Sequence, residues 1–146
     1  MVLNNYMVSK YFLENNLPFI YRVHAVDKIT QKKIDDFSKS INMDEPNSKY
    51  LKYIDVIKNI YPQAYYSTKN EGHFGLGLEA YSHITSPLRR FADILANICL
   101  NKFYFNEYND NDIYMVEQIL NIEIPKINQK KLAIDVFSSN YEKSKI

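Results

Sequence analysis

A single cysteine, Cys99, in 146 residues excludes an internal disulfide framework and a cysteine-based zinc site. It stands in an apolar helical run, which favours a buried structural thiol over a nucleophile. Tryptophan is absent and there are only three glycines, so the aromatic character rests on 13 Tyr and 8 Phe. Neither sign of charge is in excess, with 18 Lys and Arg against 17 Asp and Glu. A net charge of +1 gives no global field for nucleic acid, and any such contact must come from a local cluster. No apolar run approaches the roughly 20 residues that span a bilayer, so no membrane partner is expected. The first residues lack the basic and uninterrupted apolar regions of a signal peptide, and a cytoplasmic protein follows as the default.

What is present fits one compact unit of ordinary globular composition, too short for two domains of usual size. Leu3, Met7, Tyr11 and Phe12 lie near helical spacing over residues 3–15, and Asn15-Asn16-Leu17-Pro18 ends that helix. Phe19 to Val23 reads as a short strand. A helix is expected over 29–42, then a polar turn from Met43 to Asn47. A further helix capped by Ser48 carries Leu51, Ile54, Val56, Ile57 and Ile60. Residues 64–69 and 73–79 read as strands, and a long helix is expected from Ser86 to about Phe103. A short helix over 112–121, a break at Pro125 and a last helix from about Asn128 complete an α+β, helix-dominated reading with two or three short strands.

The chemistry concentrates around Ser86-Pro87, which makes a strong helix start by its cap and its preset φ. The expected helix puts Leu88, Phe91, Leu95, Ile98 and Cys99 on one stripe, with Arg89 and Asp93 roughly opposite and Arg90 on the flank. Free N–H groups at such a start favour an anion, and the Arg89 fork can grip two phosphate oxygens. A plainer reading stands beside this one: Arg89 and Arg90 pair locally with Asp93. Upstream, Phe74, Leu76 and Leu78 alternate with His73, Gly75, Gly77 and Glu79. Glycines in a strand mark close approach of a ligand or another backbone, and a tightly packed helix would explain the bare face equally. His24, His73 and His83 have no recognisable nucleophile or metal-spaced partner and read as hydrogen-bonded structural histidines. Asp110 and Asp112 read as helix caps before a cation site.

The block from Ala64 to Asp93 closely resembles the catalytic domain of the ribonuclease II/ribonuclease R family. It contains Tyr66-Ser67, Gly72-His73-Phe74-Gly75-Leu76, Tyr81, His83, Thr85-Ser86-Pro87, Arg89-Arg90 and Asp93. Met1-Val2-Leu3-Asn4-Asn5 with Val8, and Leu17-Pro18-Phe19-Ile20-Tyr21-Arg22-Val23-His24, resemble two earlier stretches of the same domain's C-terminal half. The resemblance is strong over residues 1–100 and weak over 101–146, so the chain reads as a partial RNB-like domain.

The resemblance implies a processive 3′→5′ exoribonuclease that hydrolyses phosphodiesters of single-stranded RNA. Arg89 then takes the place of the arginine beside the scissile phosphate. Tyr81, His83, Ser86 and Arg90 match positions that line or support the RNA channel, with His73, Gly75, Gly77 and Asp93 as supports. The family also implies magnesium held by clustered aspartates, but that cluster precedes the segment matching Met1. No metal ligand is therefore assigned, and a complementing chain would have to carry the cluster. Other departures are Asn59-Ile60-Tyr61 in place of an Arg-Ser-Met run, and Asn97-Ile98 where His-Arg is frequent. Near the C-terminus Phe137 or a neighbour stands where a relevant glutamate is found, with only Asp135 acidic nearby. Two further readings remain open: a non-catalytic RNA-binding module, and a non-functional remnant with an exposed former interface.

Overall fold

The computed structural model describes residues 1–40 and 62–143. The expected turn at Met43–Asn47 and the helix capped by Ser48 lie outside the described residues.

Helix α1 (Val2–Glu14) ends where Asn16 takes a positive φ of 52°. This left-handed step lets the Leu17 N–H reach back to the Phe12 carbonyl at 3.1 Å, which closes the helix as the Asn-Asn pair implied. Strand β1 (Tyr21–Val23) follows, then helix α2 (Lys28–Ser40). Strand β2 (Tyr65–Ser67) pairs antiparallel with β1, placing Arg22 opposite Tyr66. On the other side of β1 runs the segment 80–85. There the Arg22 N–H donates to the Tyr81 carbonyl at 2.7 Å, and Ser82 Oγ donates to the Ile20 carbonyl at 2.6 Å.

Two long helices cover this small sheet region: α3 (Phe91–Tyr104) and α4 (Asp110–Lys143). The core joins Phe12, Phe19, Ile20 and Val23 to Leu95, Cys99 and Phe103 of α3, and to Val116, Leu120 and Ile124 of α4. Phe12 and Phe19 stack at 4.1 Å between ring centroids, a geometry that adds to their area burial. Cys99 is buried, and burial pushes its thiol up to about 12, as expected of a structural cysteine.

The helix-dominated α+β architecture stands, but four local expectations are corrected. Residues 73–79 form a short 3-10 turn (Phe74–Leu76) flanked by isolated bridges rather than a strand. Gly72 at φ 76° and Gly77 at φ 64° bend the chain out of extended geometry on either side. Second, α3 begins at Phe91, not Ser86. Its buried face is Ala92, Asp93, Leu95, Ala96, Cys99 and Phe103, so Asp93 points inward while Leu88, Phe91 and Ile98 are exposed.

Third, Pro125 does not break the chain. It sits inside the continuous α4 with its ring exposed, while Val116, Leu120 and Ile124 hold the helix to the core. A missing N–H is tolerated where packing on the opposite face fixes the helix. Fourth, the cap of α4 is Asn109, one residue earlier than expected. Its Oδ1 accepts the Asp112 N–H, and the Asp112 carboxylate accepts the Asn109 N–H, both at 3.1 Å. Asp112 also pairs with Lys102 at 2.8 Å, which ties α4 to α3.

Candidate nucleic-acid interface

The turn 86–90 holds two adjacent arginines with opposite surroundings. Its backbone folds back so that the Arg90 N–H donates to the Ser86 carbonyl at 3.2 Å. The carboxylate of Asp93, fully buried, accepts the Ser86 N–H at 2.8 Å. It also accepts Arg90 Nε at 2.7 Å and Arg90 Nη2 at 3.0 Å, a bidentate fork. Ser86 Oγ accepts from the Arg89 guanidinium and not from a backbone N–H, and the helix starts only past the clamped arginine, with Arg90 at its N-cap position.

The local pairing read from sequence thus exists for Arg90 and Asp93. Arg89 has a different fate: it is exposed, and its guanidinium donates weakly to Ser86 Oγ at 3.4 Å. The asymmetry follows from one residue of phase, which points the first arginine out of the turn and the second into it.

Behind the turn lies a polar interior that collects most of the other expected residues. His83 Nδ1 and the Tyr66 hydroxyl are hydrogen-bonded at 2.7 Å, and the Arg22 guanidinium lies 4.7 Å over the Tyr66 ring. The Tyr81 hydroxyl accepts from Asn5 Nδ2 at 3.0 Å, and its ring meets the edges of His73 and His83 at 5.2 and 5.6 Å. Burial first, then the charges of Arg90 and Arg22, push the His83 imidazole down to about 4, so it is neutral near pH 7. Burial lowers His73 as well, and the neighbouring His24 adds to this. Burial raises Tyr66.

Gly75 is explained by His24, whose Nδ1 accepts the Gly75 N–H at 3.2 Å and would lie 2.7 Å from an added Cβ. The expected close approach is therefore made by a side chain, not by a second backbone. Gly77 has open space around it and is required by its positive φ alone.

Helix α4 contributes residues that sequence reading missed. Arg89 and Phe91 line a cleft of about 530 Å³ against Glu123, Lys126, Ile127, Lys130, Lys131 and Ile134 of that helix. The helix residues recur at i, i+3, i+4, i+7, i+8 and i+11, one face of a continuous helix. The signal was in the sequence, hidden by the expected break at Pro125. Asn128 fastens this helix to β2: its side chain accepts the Tyr66 N–H at 2.9 Å and donates to the Tyr66 carbonyl at 2.8 Å. Lys131 Nζ adds a bond to the Ala64 carbonyl at 3.0 Å.

The donor set does not suit magnesium. Among the described residues no three His, Cys, Asp or Glu side chains converge, and the Asp93 carboxylate is already engaged by Arg90 and Ser86. Among the same residues no helix is long and apolar enough to cross a membrane.

Comparison with known proteins places this geometry. The RNB domain family matches residues 1–106. Ribonuclease R 1 of Lactococcus lactis is 34% identical over 117 residues, covering 64% of this chain and 14% of that protein. Ribonuclease R of Mycoplasmopsis pulmonis is 28% identical in an alignment covering the whole chain and 24% of that protein. Among solved structures, Mycoplasma genitalium RNase R in complex with double-stranded RNA is similar with a TM-score of 0.79 and 23% identity. That match covers 96% of this chain and 29% of the other. The same enzyme in complex with ribose methylated single-stranded RNA gives 0.72 at 22% identity, covering 26% of that chain. The chain thus spans at most about a quarter of these curated relatives' length. A match over 106 consecutive residues, which include the whole 86–93 turn and its polar interior, assigns this chain to the RNB family.

Proposed function

We propose that this chain is the RNA-phosphate-gripping part of a 3′→5′ exoribonuclease catalytic domain, acting on single-stranded RNA. The observation that carries this reading is the division between the two arginines. Asp93 uses Arg90 to fix the turn, and the fixed turn presents Arg89 outward, where its planar fork suits a phosphodiester. The fixed turn sets the place from which Arg89 reaches, so that binding an anion has to order the side chain and not the backbone.

Ser86 supports Arg89, while Tyr81, His83 and His73 form the wall that sets the position of the turn. The solved RNase R complexes with RNA support RNA as the ligand class. Metal-assisted hydrolysis is the chemistry the family implies. The residues described here bind and orient phosphate, and a cluster of aspartates elsewhere in a longer or complementing chain would supply the metal site. A cytoplasmic setting belongs to the same proposal.

The test is incubation of the purified chain with 5′-labelled single-stranded RNA and magnesium. The expected result is binding at low salt, lost largely in Arg89→Ala, with little shortening of the strand. Absence of binding at low salt would overturn the RNA reading. Processive shortening from the 3′ end, abolished by Arg89→Ala, would overturn the restriction to binding.

A further inference from the structure

We infer that the cleft between the 86–91 turn and helix α4 is a nucleotide subsite, with Phe91 as its stacking platform and Lys130 and Lys126 as a second phosphate grip. The inference rests on the proposed RNA reading of Arg89 and extends it to residues beyond the family-like motif. Three observations converge on it.

The first is shape and lining. Arg89 and Phe91 form one wall, and the other wall is a single face of α4 with cations at 126 and 130, one helical turn apart. The volume, about 530 Å³, lies in the range of small-ligand sites.

The second is the aromatic. Phe91 is the first residue of α3, 49% exposed like Ile98 and Tyr104 of the same helix, and it is the aromatic side chain among the residues that line the cleft. An exposed ring flanked by cations is how single-stranded nucleic acids are held without sequence preference: bases stack while phosphates are neutralised.

The third is the distribution of ion pairs. Lys131 is committed to the Ala64 carbonyl, and burial lowers its basicity, so it serves to anchor the helix. Lys126 pairs with Glu123 at 2.7 Å, and both line the same cleft. Lys130 is exposed and projects from the helix one turn further on. Glu123 thus acts as an internal competitor of a bound phosphate, which gives the proposal an unusual sign: removing an acidic residue strengthens binding.

The experiment is fluorescence anisotropy of a short labelled oligoadenylate, titrated with the full chain over a range of salt concentrations. An abasic strand of equal length serves as comparison. Lys130→Gln is expected to weaken oligoadenylate binding about fivefold at low salt and to reduce the log–log salt slope by about 0.7, the value for one phosphate on a single strand. Glu123→Gln is expected to tighten binding about twofold. Phe91→Ala, and Phe91→Leu as a variant that keeps apolar contact, are expected to weaken oligoadenylate roughly tenfold and to leave the abasic strand unchanged.

If Arg89→Ala weakens binding while the Lys130, Glu123 and Phe91 variants match the parent, the subsite is overturned and the reading of Arg89 survives. If the parent chain binds neither strand, the RNA reading itself falls and the subsite with it. Equal loss on both strands in the Phe91 variants overturns the stacking role. Binding of an acidic peptide as tightly as oligoadenylate would overturn the assignment to nucleic acid.

Discussion

The two sides of the 86–91 turn make opposite use of the same residue types. On the inner side, Arg90 forks onto one buried carboxylate, Tyr66 and His83 share a short bond, and Arg22 and Tyr81 are packed against them by ring contacts. On the outer side, Arg89, Lys126, Lys130 and Phe91 face an open cleft with fewer fixed partners. Arginine beside an aromatic therefore does not by itself distinguish a structural device from a ligand site. Burial of the counter-charge decides it: Asp93 is fully enclosed and Glu123 is not. A buried carboxylate left alone is costly, so Arg90 cannot leave it, whereas Arg89 has no such obligation.

The largest effect that sharpens this comparison is expected from Asp93→Ala. It removes the partner of a fork whose arginine side chain is only 26% exposed and frees the Ser86 N–H, so the loss in stability is about 3 kcal/mol, the lower end for a broken buried pair. Urea unfolding measures it, and a loss under about 1 kcal/mol would show that the turn is fixed by something else.

A smaller loss, about 2 kcal/mol, is expected for Asn128→Ala, which leaves the Tyr66 N–H and carbonyl without their partner. Because Asn128 joins the inner side to the helix that forms the outer one, this change should also weaken RNA binding. Lower stability with unaltered affinity would separate the two regions.

The inner side should also carry a pH signature. In the folded chain His83 is pushed down to about 4, below its ordinary 6.5, so the unfolded state takes up a proton that the folded state refuses. Stability contributed by neutral His83 is complete above about pH 6.5 and declines as pH falls towards 4. His83→Gln, which keeps an acceptor for the Tyr66 hydroxyl, is expected to flatten the urea midpoint over that window. An unchanged slope would remove His83 from the inner network.

Much of this architecture was legible in the sequence where a local rule agreed with the packing. The Asn15-Asn16 helix end, the strand into Val23, the short strand at 65–67 and the buried Cys99 follow from side-chain chemistry that no distant residue contests. The errors occur where a distant partner wins. Ser86-Pro87 has the chemistry of a helix start, but the fork between Arg90 and the buried Asp93 holds 86–90 as a turn, and Ser86 Oγ meets the Arg89 guanidinium in place of a backbone N–H. The alternation at 73–79 looks like a strand, but two positive-φ glycines and the His24 ring turn it into a 3-10 turn. Pro125 looks like a break, but a face packed through Val116, Leu120 and Ile124 carries the helix past it.

For the candidate site, the resemblance pointed to the 86–90 turn, and the structure shows which of its two arginines is exposed. The resemblance contained Arg22 and Tyr66 without assigning them a role, and Asn128 and the lysine face of α4 lay beyond it, because these roles depend on which segments the fold brings together. Arg90, matched to a position that lines or supports the channel, is the arginine that pairs with Asp93, and only the buried geometry separates it from Arg89 in this respect.

The central claim, that adjacent arginines divide between ligand and fold, is tested most directly by measuring RNA affinity against salt and urea stability together for Arg89→Ala. The expected result is binding at least tenfold weaker at low salt, a log–log slope lower by about 0.7, and stability within about 0.5 kcal/mol of the parent. Unchanged affinity and slope, or a loss of binding that merely follows loss of the fold, would contradict it.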